Sequence, residues 1–291
     1  MAAFYTFEDL SGGKSTPTTS ENPYDGLIEA SNNDCTAIQA RYNTHRTARN
    51  AQQREKLLGA DFAGVSVDEI LAKLEDPTIE PGFKDWRHCL VFWARPPQAV
   101  RDLIGELQQK LLAVAPTSEI DELVKQILPG ASEIVDYTQD HRVRLVKPLV
   151  SFDAQALALS FLPAAGESGR SQQEDGYSYH HLRRDLYTKV SSTGVKVASR
   201  YVIPSAHLTI ARFVTKNDFE TIDGTVDDAR VQKLVDTIDG INAWLKEEYW
   251  PKSDGIKQGG EWVVGQDKGL DFRHGALWYG GGETVKLGKG F

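Results

Sequence analysis

The sequence predicts an α+β fold with mainly antiparallel sheets flanked by helices. Three observations carry that reading. Strands and helices alternate without the regular strand–helix–strand rhythm of a parallel, doubly wound sheet. Two extended runs follow each other directly over residues 141–164, as in a hairpin. Two helical patterns also abut at Pro116 with no strand between them.

The elements follow in order. Residues 1–22 form a leader, because "SGGKSTPTTSENP" (11–23) is built from Ser, Thr, Gly and Pro. Residues 23–291 make up one domain. Ser31 to Leu58 is a polar, Ala/Gln/Arg-rich helix with Ile38, Tyr42 and His45 near helical spacing. "SVDEILAKL" (66–74) is a short helix opened by Ser66, with Glu69 three residues on. "HCLVFWARPP" (88–97) is a strand stopped by paired prolines. It is followed by an amphipathic helix over 99–115 with Val100, Leu103, Ile104, Leu107, Leu111 and Val114 on one stripe. A second helix begins at Thr117, with Ile120, Leu123, Val124, Ile127 and Leu128 in phase. The hairpin of 141–153 and 154–164 turns near Asp153, and "ESGRSQQEDG" (167–176) is a polar loop. A helix over 177–190 turns Tyr179, Leu182 and Leu186 inward. An extended run over 196–203 is broken by Pro204, and the strand "SAHLTIARF" (205–213) follows. A long helix spans Asp227 to Tyr249, and the remainder reads as short strands joined by glycine turns.

At 291 residues with 40% hydrophobic and 25% charged side chains, the chain has the composition of a soluble globular protein. Its net charge of −8 argues against coating a long nucleic-acid duplex, which requires a basic surface, but leaves room for a small phosphate-bearing ligand in a local basic pocket. Cys35 and Cys89 are too few for a disulfide framework or a cysteine-rich zinc site. With no membrane-length apolar run and no apolar signal core near the start, a cytosolic or nucleocytosolic monomer without membrane attachment is expected.

The chemistry-bearing candidate is His207-x-Thr209. Alternate residues of a strand share a face, so His207 and Thr209 point one way and Leu208 and Ile210 the other. An imidazole exchanges a proton near neutral pH, and a hydroxyl donates to a phosphate oxygen. A cyclic phosphodiester opening by in-line displacement needs a base on the entering side and an acid on the leaving side, and two opposed histidines meet that need. One His-x-Thr alone is equally compatible with a half-buried strand carrying a satisfied histidine.

Taken with "RLVKPLVSFD", "ALALSFLP", "YSYHHLRRDLY", "GLDFRHGALWYGGG", "LGKGF" and the early "NPYDGLIEASNNDCTAIQARYNTHRTARNAQQ", the strand resembles the fungal RNA ligase/cyclic nucleotide phosphodiesterase family, a branch of the two-histidine phosphoesterases. The resemblance covers nearly all of 22–291. It implies a bilobal fold in which each lobe presents one His-x-Thr/Ser strand to a central cleft. It also implies hydrolysis of 2′,3′-cyclic or related phosphodiesters of nucleotides or RNA ends without metal or other cofactor. The second motif of the family falls on His207 and Thr209, as the catalytic pair. Its first motif would lie at Ala115-Pro116-Thr117, where helix meets helix, and no histidine occurs between His88 and His141. One lobe is thus expected to lack a strand, through loss of the site or an altered transcript, and activity is expected to be reduced on the order of 10²–10⁴-fold. The alternative is a non-catalytic module binding a nucleotide or RNA end, or a truncated product with an exposed sheet edge.

Other residues stand as candidates around that motif. His181 and Arg184 are candidate phosphate contacts, the alternative being a solvated face beside the Leu182/Leu186 stripe. Lys147, Arg200 and Arg212 are candidate cations, although alternation turns Arg212 away from His207, toward a partner elsewhere. Tyr201 is a candidate for stacking a base, or else lines the core. His45-Arg46-Thr47 matches the letters of the motif, but in a polar helix it reads as a surface histidine. His88 and His141 read as strand-edge residues, and His274 as part of a turn.

Overall fold

The computed structural model describes residues 22–109, 127–195, 197, 202–279 and 281–291. The Pro116–Thr117 junction, nearly all of the helix expected from Thr117, and Arg200 and Tyr201 lie outside them. The described residues form α1 (Asp25–Ala30), α2 (Cys35–Leu57), α3 (Glu69–Glu75), α4 (Gln98–Gln109), α5 (Ala131–Val135), α6 (Tyr179–Ser192) and α7 (Asp228–Tyr249). The strands are β1 (Cys89–Trp93), β2 (Arg144–Phe152), β3 (Ala156–Pro163), β4 (Ala206–Arg212), β5 (Glu261–Val263), β6 (Asp271–Gly275) and β7 (Glu283–Leu287). They pair into two antiparallel sheets, one ordered β4-β3-β2-β5 and the other β1-β6-β7. The α+β class expected from the sequence is the class observed.

The β2–β3 hairpin turns where expected. Asp153 Oδ1 accepts from the backbone N–H groups of Gln155 (2.8 Å) and Ala156 (3.0 Å), a side-chain-closed turn that aspartate favours. The cap of α3 differs from expectation. Asp68, not Ser66, opens the helix, its carboxylate accepting from the Leu71 N–H at 3.1 Å, while the Ser66 N–H is spent on the Ala154 carbonyl.

α2 packs on β2 and β3 through a stripe of Ile38, Tyr42, Arg46, Gln53 and Leu57. α7 covers β2 with Val231, Val235, Ile238, Ile241 and Leu245, and is capped by the Asp227 side chain. These faces close over Leu145, Val150, Leu159 and Phe161 in one connected apolar core that extends to Leu270 and Phe272. No described helix is long and apolar enough to cross a membrane.

Two irregularities shape the four-stranded sheet. The β2–β3 register shifts between Val146 and Leu149, where Lys147 adopts φ +57° and Pro148, which has no N–H for a ladder, is accommodated. The β3–β4 register shifts at Leu157/Ala158, so that Ile210 is the extra residue between Thr209 and Ala211. In the three-stranded sheet, β1 is the outer strand, half-buried along its length. With α6 it lines an apolar groove of about 470 Å³.

Candidate functional site

β3 is built so that a cavity opens on one of its faces. Leu157, Leu159 and Phe161 point into the core, whereas Ala156, Ala158 and Ser160 on the alternate positions are small. Directly across on β4, His207 pairs with Ser160 and Thr209 with Ala158. A large side chain beside a small one leaves space, and α2 crosses that space instead of filling it. The result is a cavity of about 230 Å³ walled by His45, Arg46 and Arg49 from α2, Ser151 and Asp153 from β2 and its turn, and Ser205, His207, Thr209 and Arg212 around β4.

His207 and Thr209 therefore share one cavity-facing side, as alternation requires. Ser205, two residues before, stands on the same side with its Oγ 3.0 Å from His207 Nδ1, and this fixes the orientation of the ring. Burial, then the nearby Arg183 guanidinium, push the His207 pKa below its ordinary value, with Asp153 opposing them. Arg212 corrects the sequence expectation. The bulge at Ile210 inserts one residue and reverses the alternation, so Arg212 returns to the cavity wall, where it lies 3.3 Å from Asp68.

His45 corrects it further. It is half-buried and lines the cavity with Arg49, one turn later on the same face of α2. Burial first, then Arg49 and His207, push its pKa down to about 4, which keeps the imidazole neutral at neutral pH.

Arg46 is the electrostatic centre of the site. It is only 5% exposed and sits in the middle of the packed stripe of α2. Its Nη1 donates to the carbonyls of Lys147 (2.6 Å) and Ser160 (3.2 Å), the first of them freed from the ladder by the β2 bulge. Its Nε–H finds no hydrogen-bond acceptor, and no carboxylate pairs with it among the described residues. Burial alone lowers its pKa to about 9. Arg49, by contrast, is paired with Asp153 at 3.1 Å. Of the three guanidinium groups in the cavity wall, Arg49 is thus balanced by Asp153 and Arg212 by Asp68, which leaves the charge of Arg46 without a carboxylate among the described residues. A buried, uncompensated guanidinium is costly, and an anion in the cavity would relieve that cost.

The remaining expected contacts lie elsewhere. His181 is part of the N-terminal cap of α6. Its Nδ1 accepts from the Ser178 N–H at 3.0 Å, and its Nε2 lies 2.7 Å from Asn33 Oδ1, so both ring nitrogens serve the fold. Arg184 is engaged with Asp185 at 2.6 Å. Lys147 is held by Glu167 (2.5 Å) and Gln39 (3.1 Å). None of the three lines the cavity. His274 lies within β6 opposite Leu90 and Glu283 rather than in a turn. Among the described residues, no group of three or more His, Cys, Asp and Glu side chains is placed to hold a metal ion. Compared with protein-family models, curated proteins and solved structures, the chain matches none of them.

Proposed function

We propose that this protein binds a phosphodiester in the His207 cavity and hydrolyses it, the substrate being a 2′,3′-cyclic phosphate of a nucleotide or RNA end. In this reading His207 transfers a proton, Thr209 donates a hydrogen bond to a phosphate oxygen, and Arg46 supplies positive charge from the floor. The observation that carries it is the juxtaposition of His207 and Thr209 with a buried arginine that has no carboxylate partner among the described residues. The volume, about 230 Å³, is below that of a pocket for a whole drug-sized ligand, and suits the phosphate and sugar end of a nucleotide whose base lies outside.

The resemblance to the two-histidine phosphoesterases supports the same reading. The two sheets agree in number with the two lobes that it implies, and the apolar groove along the outer strand β1 is what removal of one strand would leave. The cavity walls, however, come from α2 and the four-stranded sheet alone. The lack of a second His-x-Thr strand favours one other reading, saturable binding of a nucleotide without turnover. Hydrolysis of 2′,3′-cyclic nucleotides by the intact chain and by His207→Ala tests the proposal. The expected loss in the variant is at least about 100-fold, and equal rates would remove His207 from the chemistry.

A further inference from the structure

A single proton-transfer group leaves half of an in-line displacement unassisted, so the wall opposite β4 decides what the site can do. That wall is α2. Its packed stripe runs through Tyr42 and Arg46, and the neighbouring positions His45 and Arg49 flank the stripe on the side of β4. The same cavity therefore carries an imidazole from a helix and an imidazole from a strand, with Arg46 between their elements and hydrogen-bonded beneath them to the Ser160 carbonyl, the cross-strand partner of His207.

We propose that His45 is the second catalytic histidine of this site, the general base that faces His207 across the bound phosphate. The proposal rests on the phosphodiester reading above, and it answers the missing strand motif with a residue from a helix. The step balances as an addition of water. The water oxygen forms a bond to phosphorus while its proton passes to His45, and the bond from phosphorus to one ribose oxygen breaks. The imidazolium of His207 gives its proton to that leaving oxygen, which becomes a free hydroxyl. The product is a phosphomonoester, and the two rings regain their starting states by proton exchange with solvent.

The electrostatics assign these roles. His45 is held neutral, as a base must be, first by burial and then by Arg49 on its own helix and His207 across the cavity. His207 has Asp153 acting in favour of its protonated form, against burial and Arg183. An anionic phosphate lodged between the rings favours protonation of one of them, and the carboxylate selects His207.

The test compares the intact chain with His45→Ala, His45→Asn, His207→Ala and the double variant. The substrate is a 2′,3′-cyclic nucleotide, inorganic phosphate serves as a competitive inhibitor, and thermal melting confirms that each variant is folded. Each single variant is expected to lose 10²–10⁴-fold in kcat, and the double variant little more than one of them, because groups that act as a unit are not additive. The inhibition constant for phosphate is expected to stay within about fivefold in His45→Asn, since Arg46 remains. His45 variants that turn over within threefold of the intact chain, while His207→Ala is inactive, would overturn the role of His45 and leave the reading of the site standing. Binding of phosphate without any turnover by the intact chain would also overturn it, in favour of a binding module. Undiminished hydrolysis by His207→Ala would remove the chemistry from this cavity, and with it the reading of the site on which the role of His45 rests.

Discussion

Replacing Arg46 with methionine separates anion binding from folding. Lowering an arginine from 12.5 to about 9 corresponds to roughly 5 kcal/mol disfavouring the charged form, at about 1.4 kcal/mol per pH unit. An anion that restores the charge balance regains part of that energy, so phosphate binding and Arg46 are thermodynamically coupled. In the variant, the carbonyls of Lys147 and Ser160 each lose a donor, at about 1–3 kcal/mol apiece. Relief of the buried charge offsets this, so the protein stays folded. The assay is thermal melting with increasing inorganic phosphate. At a hundred times the dissociation constant the ligand stabilises the intact chain by about 2.7 kcal/mol, which at about 2–4 °C per kcal/mol raises Tm by roughly 5–10 °C. Arg46→Met is expected to show less than a fifth of that shift. An equal shift in the variant, or none in the intact chain, would refute the argument that this guanidinium awaits an anion.

Three further outcomes follow from the same geometry. Thr209→Val, which keeps the shape of a half-exposed strand residue and removes the hydroxyl, is expected to lower kcat/KM by roughly 10- to 100-fold, the value of one hydrogen bond to a charged group. Unchanged kinetics would place the phosphate away from β4. Lys147→Met is expected to leave phosphate affinity within about twofold, because the ammonium is committed to Glu167 and Gln39, and a tenfold loss would return Lys147 to the site. Acid is expected to destabilise the fold. His180, 1% exposed between Tyr42 and the Tyr24 carbonyl, has its pKa lowered to about 3, chiefly by burial, and His45 to about 4. The unfolded chain then binds more protons than the folded one below pH 6.5, so stability is full above that pH and falls as pH drops toward 3. Urea unfolding at pH 7 and pH 4.5 should differ by roughly 2–3 kcal/mol from His180 alone, and equal midpoints would contradict its neutral burial.

The strands around the site were legible because their alternation is clean. "ALALSFLP" and "AHLTIAR" each put one set of side chains inward, and a two-residue period fixes which residues share a face. The small residues Ala156, Ala158 and Ser160 on one face of a strand are the sequence signal of the cavity floor. Arg212 was misplaced because a bulge adds one residue without changing the composition, so the period cannot reveal it. His45 was read as a surface residue because the inward stripe of α2 includes Arg46 and Gln53. Polar residues packed against the sheet erase the apolar pattern by which a buried helix face is recognised. His181 looked available for a ligand because its contacts, Ser178 three residues before it and Asn33 far away in the chain, form only once the first helices dock on α6. Hydrophobic pattern locates elements, whereas the partners of a polar side chain are set by tertiary contacts.

The most direct test of the central claim is the position of phosphorus in a crystal structure of the chain with a nucleoside 2′- or 3′-monophosphate, the phosphomonoester that the proposed reaction releases. The account predicts the phosphate in the α2–β4 cavity, with its oxygens within hydrogen-bond distance of the His207 ring, the Thr209 hydroxyl and the Arg46 guanidinium. A phosphate bound anywhere else, with that cavity left to solvent, would contradict it.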